Sequence, residues 1–111
     1  MAQVSNLYID AGSTYSAIVN VRNSDGTPIN LTNYTIAAQI RKSYGSVNAY
    51  NFTCSVYDMQ SGKVRILLPA ATSSSMKPGR YLYDIEVTSP IGEKLRVIEG
   101  IVLITPEITK I

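Results

Sequence analysis

Lys77-Pro78-Gly79-Arg80-Tyr81-Leu82-Tyr83-Asp84-Ile85-Glu86-Val87 joins a chain breaker to a strand without a gap. Pro78-Gly79 stops whatever precedes it, because proline lacks the amide a helix would use and glycine favours turn conformations. From Arg80 the pattern alternates strictly. Tyr81, Tyr83, Ile85 and Val87 fall on one face, and Arg80, Leu82, Asp84 and Glu86 on the other. A half-buried antiparallel strand has this period of two.

Working outward, the same punctuation recurs along the chain and predicts an all-β, two-sheet antiparallel sandwich of about seven strands. Asn6 to Asp10 is a short first strand. Thr14 to Arg22 follows, with Tyr15, Ala17, Val19 and Val21 sharing a face. Asn23 to Pro28 turns the chain, and Tyr34 to Arg41 sets Ile36, Ala38 and Ile40 against Ala37, Gln39 and Arg41. Tyr50 to Asp58 and Lys63 to Leu68 flank the short loop Met59-Gln60-Ser61-Gly62, which suits an antiparallel hairpin burying Tyr50, Phe52, Cys54, Val56, Val64, Ile66 and Leu68. The Ala-Thr-Ser run near residues 70–77, with Pro69 at its start, has room for a turn or two of helix and is expected to cross between the sheets. Ser89-Pro90-Ile91-Gly92 turns the chain into a last long strand, Lys94 to Ile104.

That last strand breaks its own pattern at Glu99. Leu95, Val97, Ile101 and Leu103 share the parity of Glu99, and an unpaired buried carboxylate is costly. A β-bulge at Glu99-Gly100 is expected to turn Glu99 outward, glycine tolerating the conformations that bulges demand.

The 111 residues suffice for one domain with one core, so residues 1–111 are read as a single sandwich, 105–111 being either a loose tail or a strand lent to a neighbour. A net charge of +2 from 10 basic and 8 acidic residues, with no basic block, gives nucleic acid no concentrated electrostatic target. Residues 1–20 hold no basic group ahead of an apolar run, and no stretch of about 18 apolar residues occurs, so neither a signal peptide nor a membrane span is expected. Synthesis in a cytoplasm follows as the expectation. The absent histidine and the lone Cys54 remove intramolecular disulfides, Cys/His zinc sites and histidine-dependent triads. Cys54 alternates with Phe52 and Val56 as a small core hydrophobe. Asn30-Leu31-Thr32, Asn33-Tyr34-Thr35 and Asn51-Phe52-Thr53 match the glycosylation pattern, but without a secretory signal they are expected to stay unmodified.

No phosphate loop, calcium loop or convergent acid pair is legible, and Ser73, Ser74 and Ser75 have only Lys77 nearby as a base. A non-enzymatic role without cofactor or metal is therefore expected. A carbohydrate-binding or adhesin module would want exposed aromatics on one face, whereas Tyr8, Tyr44 and Tyr57 fall in different elements. The outward faces carry more apolar groups than solvation needs. Ile18 and Leu67 are assigned to the outer face of one sheet, and Arg80, Leu82, Ile98, Val102 and Ile104 to that of the other, as a candidate interface. Open sandwich edges offer a second docking mode, by strand addition.

The succession Leu31-Thr32-Asn33-Tyr34-Thr35-Ile36-Ala37-Ala38-Gln39-Ile40-Arg41-Lys42, Ser61-Gly62-Lys63-Val64, Pro78-Gly79-Arg80-Tyr81-Leu82-Tyr83-Asp84-Ile85, Glu99-Gly100 and Pro106-Glu107-Ile108-Thr109 resembles the immunoglobulin-like N-terminal module of tailed-phage baseplate upper proteins. The resemblance covers residues 14–109 and implies an immunoglobulin-like sandwich in which Tyr81 is a corner tyrosine bonded back to the preceding backbone. It also implies a structural protein of a bacteriophage virion, present in symmetric copies and docked to other virion proteins and to itself through sheet edges and termini. Longer members carry further receptor-binding domains. This chain ends at Ile111, so tail, baseplate and neck positions stand beside a capsid decoration or cement role.

Overall fold

The computed structural model describes residues 3–106, apart from 24, 44 and 46–48. Tyr44 and the tail from residue 107 lie outside the described residues. Two sheets pack face to face. The larger holds β1 (Gln3–Val4), β2 (Leu7–Asp10), β4 (Thr35–Arg41), β5 (Tyr50–Asn51), β8 (Gly79–Thr88) and β9 (Lys94–Thr105); the smaller holds β3 (Tyr15–Asn20), β6 (Thr53–Asp58) and β7 (Lys63–Leu68). The large sheet runs β1-β9-β8-β4-β5 with β2 also beside β9, and the small sheet β3-β7-β6.

The opening stretch forms β8, the central strand, paired antiparallel with β4 and β9. Tyr81, Tyr83, Ile85 and Val87 are all buried, as their parity requires. Each such burial contributes about 1.5–3 kcal/mol. Opposite them in the core stand Val64, Ile66 and Leu68 of β7, fully enclosed. The short helix α1 (Ala70–Ser75) carries the chain from β7 to β8, the expected crossover. Tyr81 Oη donates to the Lys77 carbonyl at 2.7 Å, the corner bond across Pro78-Gly79. Tyr83 Oη donates to the Ser5 carbonyl at 2.5 Å, so each tyrosine packs its ring inward and satisfies its hydroxyl at the rim of the sheet.

Three readings of the sequence are corrected. The N-terminal strand begins earlier, breaks at Ser5-Asn6, and runs parallel to β9, so the larger sheet is mixed. The span Tyr50 to Asp58 changes sheets at Phe52, which sends Tyr50 to the larger sheet, and Val56, expected on the buried face, is exposed beside the bulge that ends β6. The Phe52 amide still donates to the Ala38 carbonyl at 3.0 Å, while Thr53 onward pairs with β7, and the Phe52 ring meets Tyr83 edge-on at 6.2 Å.

The third correction moves the bulge in β9. Ile85 pairs with Ile98 and Glu86 with Arg96, which leaves Val97 as the extra residue. Val97 and Ile98 are therefore both buried, and beyond them the inward parity belongs to Ile98, Val102 and Ile104, with 3%, 0% and 2% of their surface exposed. These three are core residues and not part of an outer face. Leu95 and Leu103, expected inside, are exposed, and Ile101 is half-buried on the outer face. Glu99 faces outward, as expected, but through a bulge lying before it. Gly100 serves a different need: a Cβ there would run into the Ser5 carbonyl oxygen, where the N-terminal strand kinks over β9. At the hairpin, Gly62 has φ 68° and a Cβ would stand 2.5 Å from the Val21 carbonyl oxygen.

Candidate functional site

Strand pairing arranges the outer face of the larger sheet in rows, since residues directly opposite on neighbouring strands share a face. Tyr8, Leu103 and Arg80 make one row; Ile101, Leu82 and Arg41 the next; Val4, Glu99, Asp84 and Gln39 the third; Arg96, Glu86 and Ala37 the fourth. The middle rows enclose a groove of about 490 Å³ bounded by Val4, Gln39, Arg41, Leu82, Asp84, Glu86, Arg96, Glu99 and Ile101 among others. Its hydrocarbon comes from Leu82 and Ile101, half-buried beneath the longer polar chains, and from exposed Val4.

Arg96 organises the polar end. Its Nε lies 3.1 Å from Asp84 Oδ2 and its Nη1 donates to Glu99 Oε2 at 3.2 Å, while Glu86 stands opposite it across β8 and β9. The Asp84 carboxylate foremost, with Glu99 and Glu86, holds the guanidinium pKa above its ordinary value. Three carboxylates thus share the field of one guanidinium at this end. At the other end Arg41 Nη2 donates to Gln39 Oε1 at 3.1 Å, and Gln39 Nε2 donates to Asn51 Oδ1 at 3.0 Å. The result is a shallow groove with an apolar floor and walls of mixed charge whose polar atoms are already oriented, a geometry suited to receiving a complementary surface. Glu99 is committed to Arg96. No group of three or more His, Cys, Asp or Glu among the described residues could hold a metal ion.

Of the residues singled out from sequence, the structure gathers Leu82 into this groove and leaves Arg80 exposed one row above. Ile18 and Leu67 share the outer face of the smaller sheet, Ile18 nearly half exposed at 47% and Leu67 half-buried, so they lie on the opposite side of the molecule from Leu82. Sequence reasoning missed Val4, Arg96 and Ile101, because the groove exists only in the register that the Val97 bulge sets. The pairing of Asp84 with Glu99, two acids face to face with Arg96 between them, was not legible, since a hairpin without the extra residue sets Asp84 opposite Ile98.

Elsewhere, burial pushes the half-buried Cys54 thiol up, away from the thiolate a nucleophile needs. Tyr8 and Tyr57 are exposed but lie on different sheets, which gives no shared aromatic platform. Ser73 is fully buried: its Oγ donates to the Ser13 carbonyl at 2.8 Å and accepts from the Gly12 amide at 3.1 Å, tying α1 to the turn before β3. No helix among the described residues is long and apolar enough to cross a membrane.

No protein-family model matches the chain, and no curated protein matches it by sequence. Among solved structures, an internalin-like protein of Listeria monocytogenes is similar at a TM-score of 0.44 and 9% identity, over 96% of this chain and 28% of its own. A family 123 glycoside hydrolase from Clostridium perfringens, described as hydrolysing glycolipid glycans, is similar at a TM-score of 0.44 and 15% identity, over 95% of this chain and 23% of its own. The chain thus spans about a quarter of each, and such a likeness assigns no activity.

Proposed function

We propose that this chain is a non-enzymatic structural module of a tailed-phage virion, seated in the tail, baseplate or neck by docking the groove on β8 and β9 against another virion protein. The observation that carries the reading is the groove itself. A salt-bridged rim around half-buried Leu82 and Ile101 gives an apolar floor walled by oriented polar groups, the make-up of a docking face. The sequence resemblance to the immunoglobulin-like module of baseplate upper proteins supplies the kind of assembly, and the corner bond of Tyr81 agrees with that architecture. Localisation to the virion and contact with other virion proteins follow from the same proposal.

Peptide mass spectrometry of gradient-purified phage particles tests it. The chain should be recovered in a fixed, multiple-copy ratio to the other tail proteins. Particles that are complete and infectious without it would end the proposal, and recovery in ratio to the major capsid protein would move the chain to a decoration role.

A further inference from the structure

We infer that β3 is a strand-addition edge, and that its occupant is β3 of a second copy of this chain, paired antiparallel about a two-fold axis at Ile18. In the seven-strand immunoglobulin arrangement the first strand lies beside the second. Here β1 and β2 lie on β9, parallel to it, and among the described residues no strand pairs with the free side of β3.

The other edges are protected in ways that proteins ordinarily use. Beside β9 the strand is broken at Ser5-Asn6, with Asn6 Oδ1 taking the Ile101 amide at 3.1 Å. Beside β4 the 2-residue β5 and the Phe52 amide occupy the C-terminal half. β6 is bulged between Val56 and Asp58 and ends in a carboxylate. By contrast β3 pairs regularly with β7 along its whole length and contains no charge, proline or glycine.

Its inward face is also unfinished. Tyr15, Ala17 and Val19 pack on the core yet stay half-buried, while their partners Val64, Ile66 and Leu68 on β7 are fully enclosed. An added strand with apolar inward residues would complete that burial, and β3 of a second copy brings Val19, Ala17 and Tyr15.

The register follows from the backbone. The Val21 amide donates to the Gly62 carbonyl on the β7 side, so alternation along the strand turns the amides and carbonyls of Ser16, Ile18 and Asn20 to the open edge. A two-fold at Ile18 pairs all of them: Ile18 with Ile18, and Ser16 with Asn20 in both directions. No like charges meet. The inference deepens the docking reading by naming one partner, and the two fail separately, since a dimer can exist outside a virion and a virion subunit need not dimerise.

Sedimentation velocity across a micromolar to millimolar range should show the wild-type chain passing from its 12.1 kDa monomer to twice that mass. Ile18→Lys, which puts two cations on the axis, should remain monomeric with an unchanged melting temperature. In a Cys54→Ser background, Ile18→Cys should form an intermolecular disulfide rapidly with diamide, because paired Cα atoms about 5.5 Å apart suit a disulfide. Ser16→Cys should not, its two copies lying roughly 14 Å apart at ~3.4 Å per residue. A wild-type chain monomeric throughout, a dimer that survives Ile18→Lys, or equal crosslinking by the two cysteine variants would each overturn the assignment.

Discussion

At the residue scale, Tyr81 and Tyr83 decide most, because each fills the core with its ring and pins a loop with its hydroxyl. Tyr81→Phe removes the corner bond alone and should cost about 1 kcal/mol in urea denaturation. Tyr81→Ala also empties the core and should cost about 3 kcal/mol. Burial foremost raises the phenol pKa of Tyr83, so the folded state favours the neutral phenol. The stability this gives is fully present below the unfolded phenol value of about 10 and is lost as pH rises through the higher folded value. Tyr83→Phe should therefore be less stable than wild type at pH 7 and close the gap above about pH 10, read from urea midpoints across that range. The inward placement of both tyrosines was legible from parity. The role of Gly100 was not, since its reason is the Ser5 carbonyl 95 residues earlier in the chain, crossing above it, as the Asn6 to Ile101 bond separation indicates. Gly100→Ala should cost about 1–3 kcal/mol by overpacking and raise amide exchange across residues 3–8, while β8 amides stay protected.

At the element scale, β9 marks the limit of pattern reading. Val97 and Ile98 are both apolar, and nothing in the alternation says which of them the bulge absorbs. Counting parity from Leu95 placed Ile98, Val102 and Ile104 outside, whereas one extra residue brings all three into the core. The turn into β7, the strand β7, the crossover α1 and the strand β8 were readable because turn residues and alternation agree there, whereas in β6 the bulge before Asp58 leaves Val56 exposed against its parity. The change of sheet at Phe52 was not readable, since a strand that switches sheets keeps its alternation. The run of three serines gives no sign that Ser73 alone is buried. Ser73→Ala leaves the Gly12 amide without its acceptor and should cost about 1–3 kcal/mol, whereas Ser74→Ala and Ser75→Ala, exposed, should fall within about 0.5 kcal/mol of wild type by thermal melting.

At the scale of the whole molecule, the sandwich offers two separate surfaces: the groove on β8 and β9 of the larger sheet and the open edge of β3 in the smaller. The first was half legible, for Leu82 with its flanking charges marks an apolar point on an outer face, but its neighbours Arg96 and Ile101 depend on pairing across strands. Arg96 is exposed, and its ion pairs contribute little to folding. Arg96→Met leaves Asp84 facing Glu99 without a cation and should lower the midpoint of urea denaturation only slightly, too little to unfold the chain, so a larger loss of docking would belong to the surface itself. The central claim is that the Leu82 face seats the chain in a phage particle, and complementation of a gene-deleted phage tests it most directly. Particles supplied with Leu82→Met should incorporate the chain at the wild-type ratio, and those supplied with a folded Leu82→Lys chain should carry little or none. Incorporation of Leu82→Lys at the wild-type ratio would contradict the account.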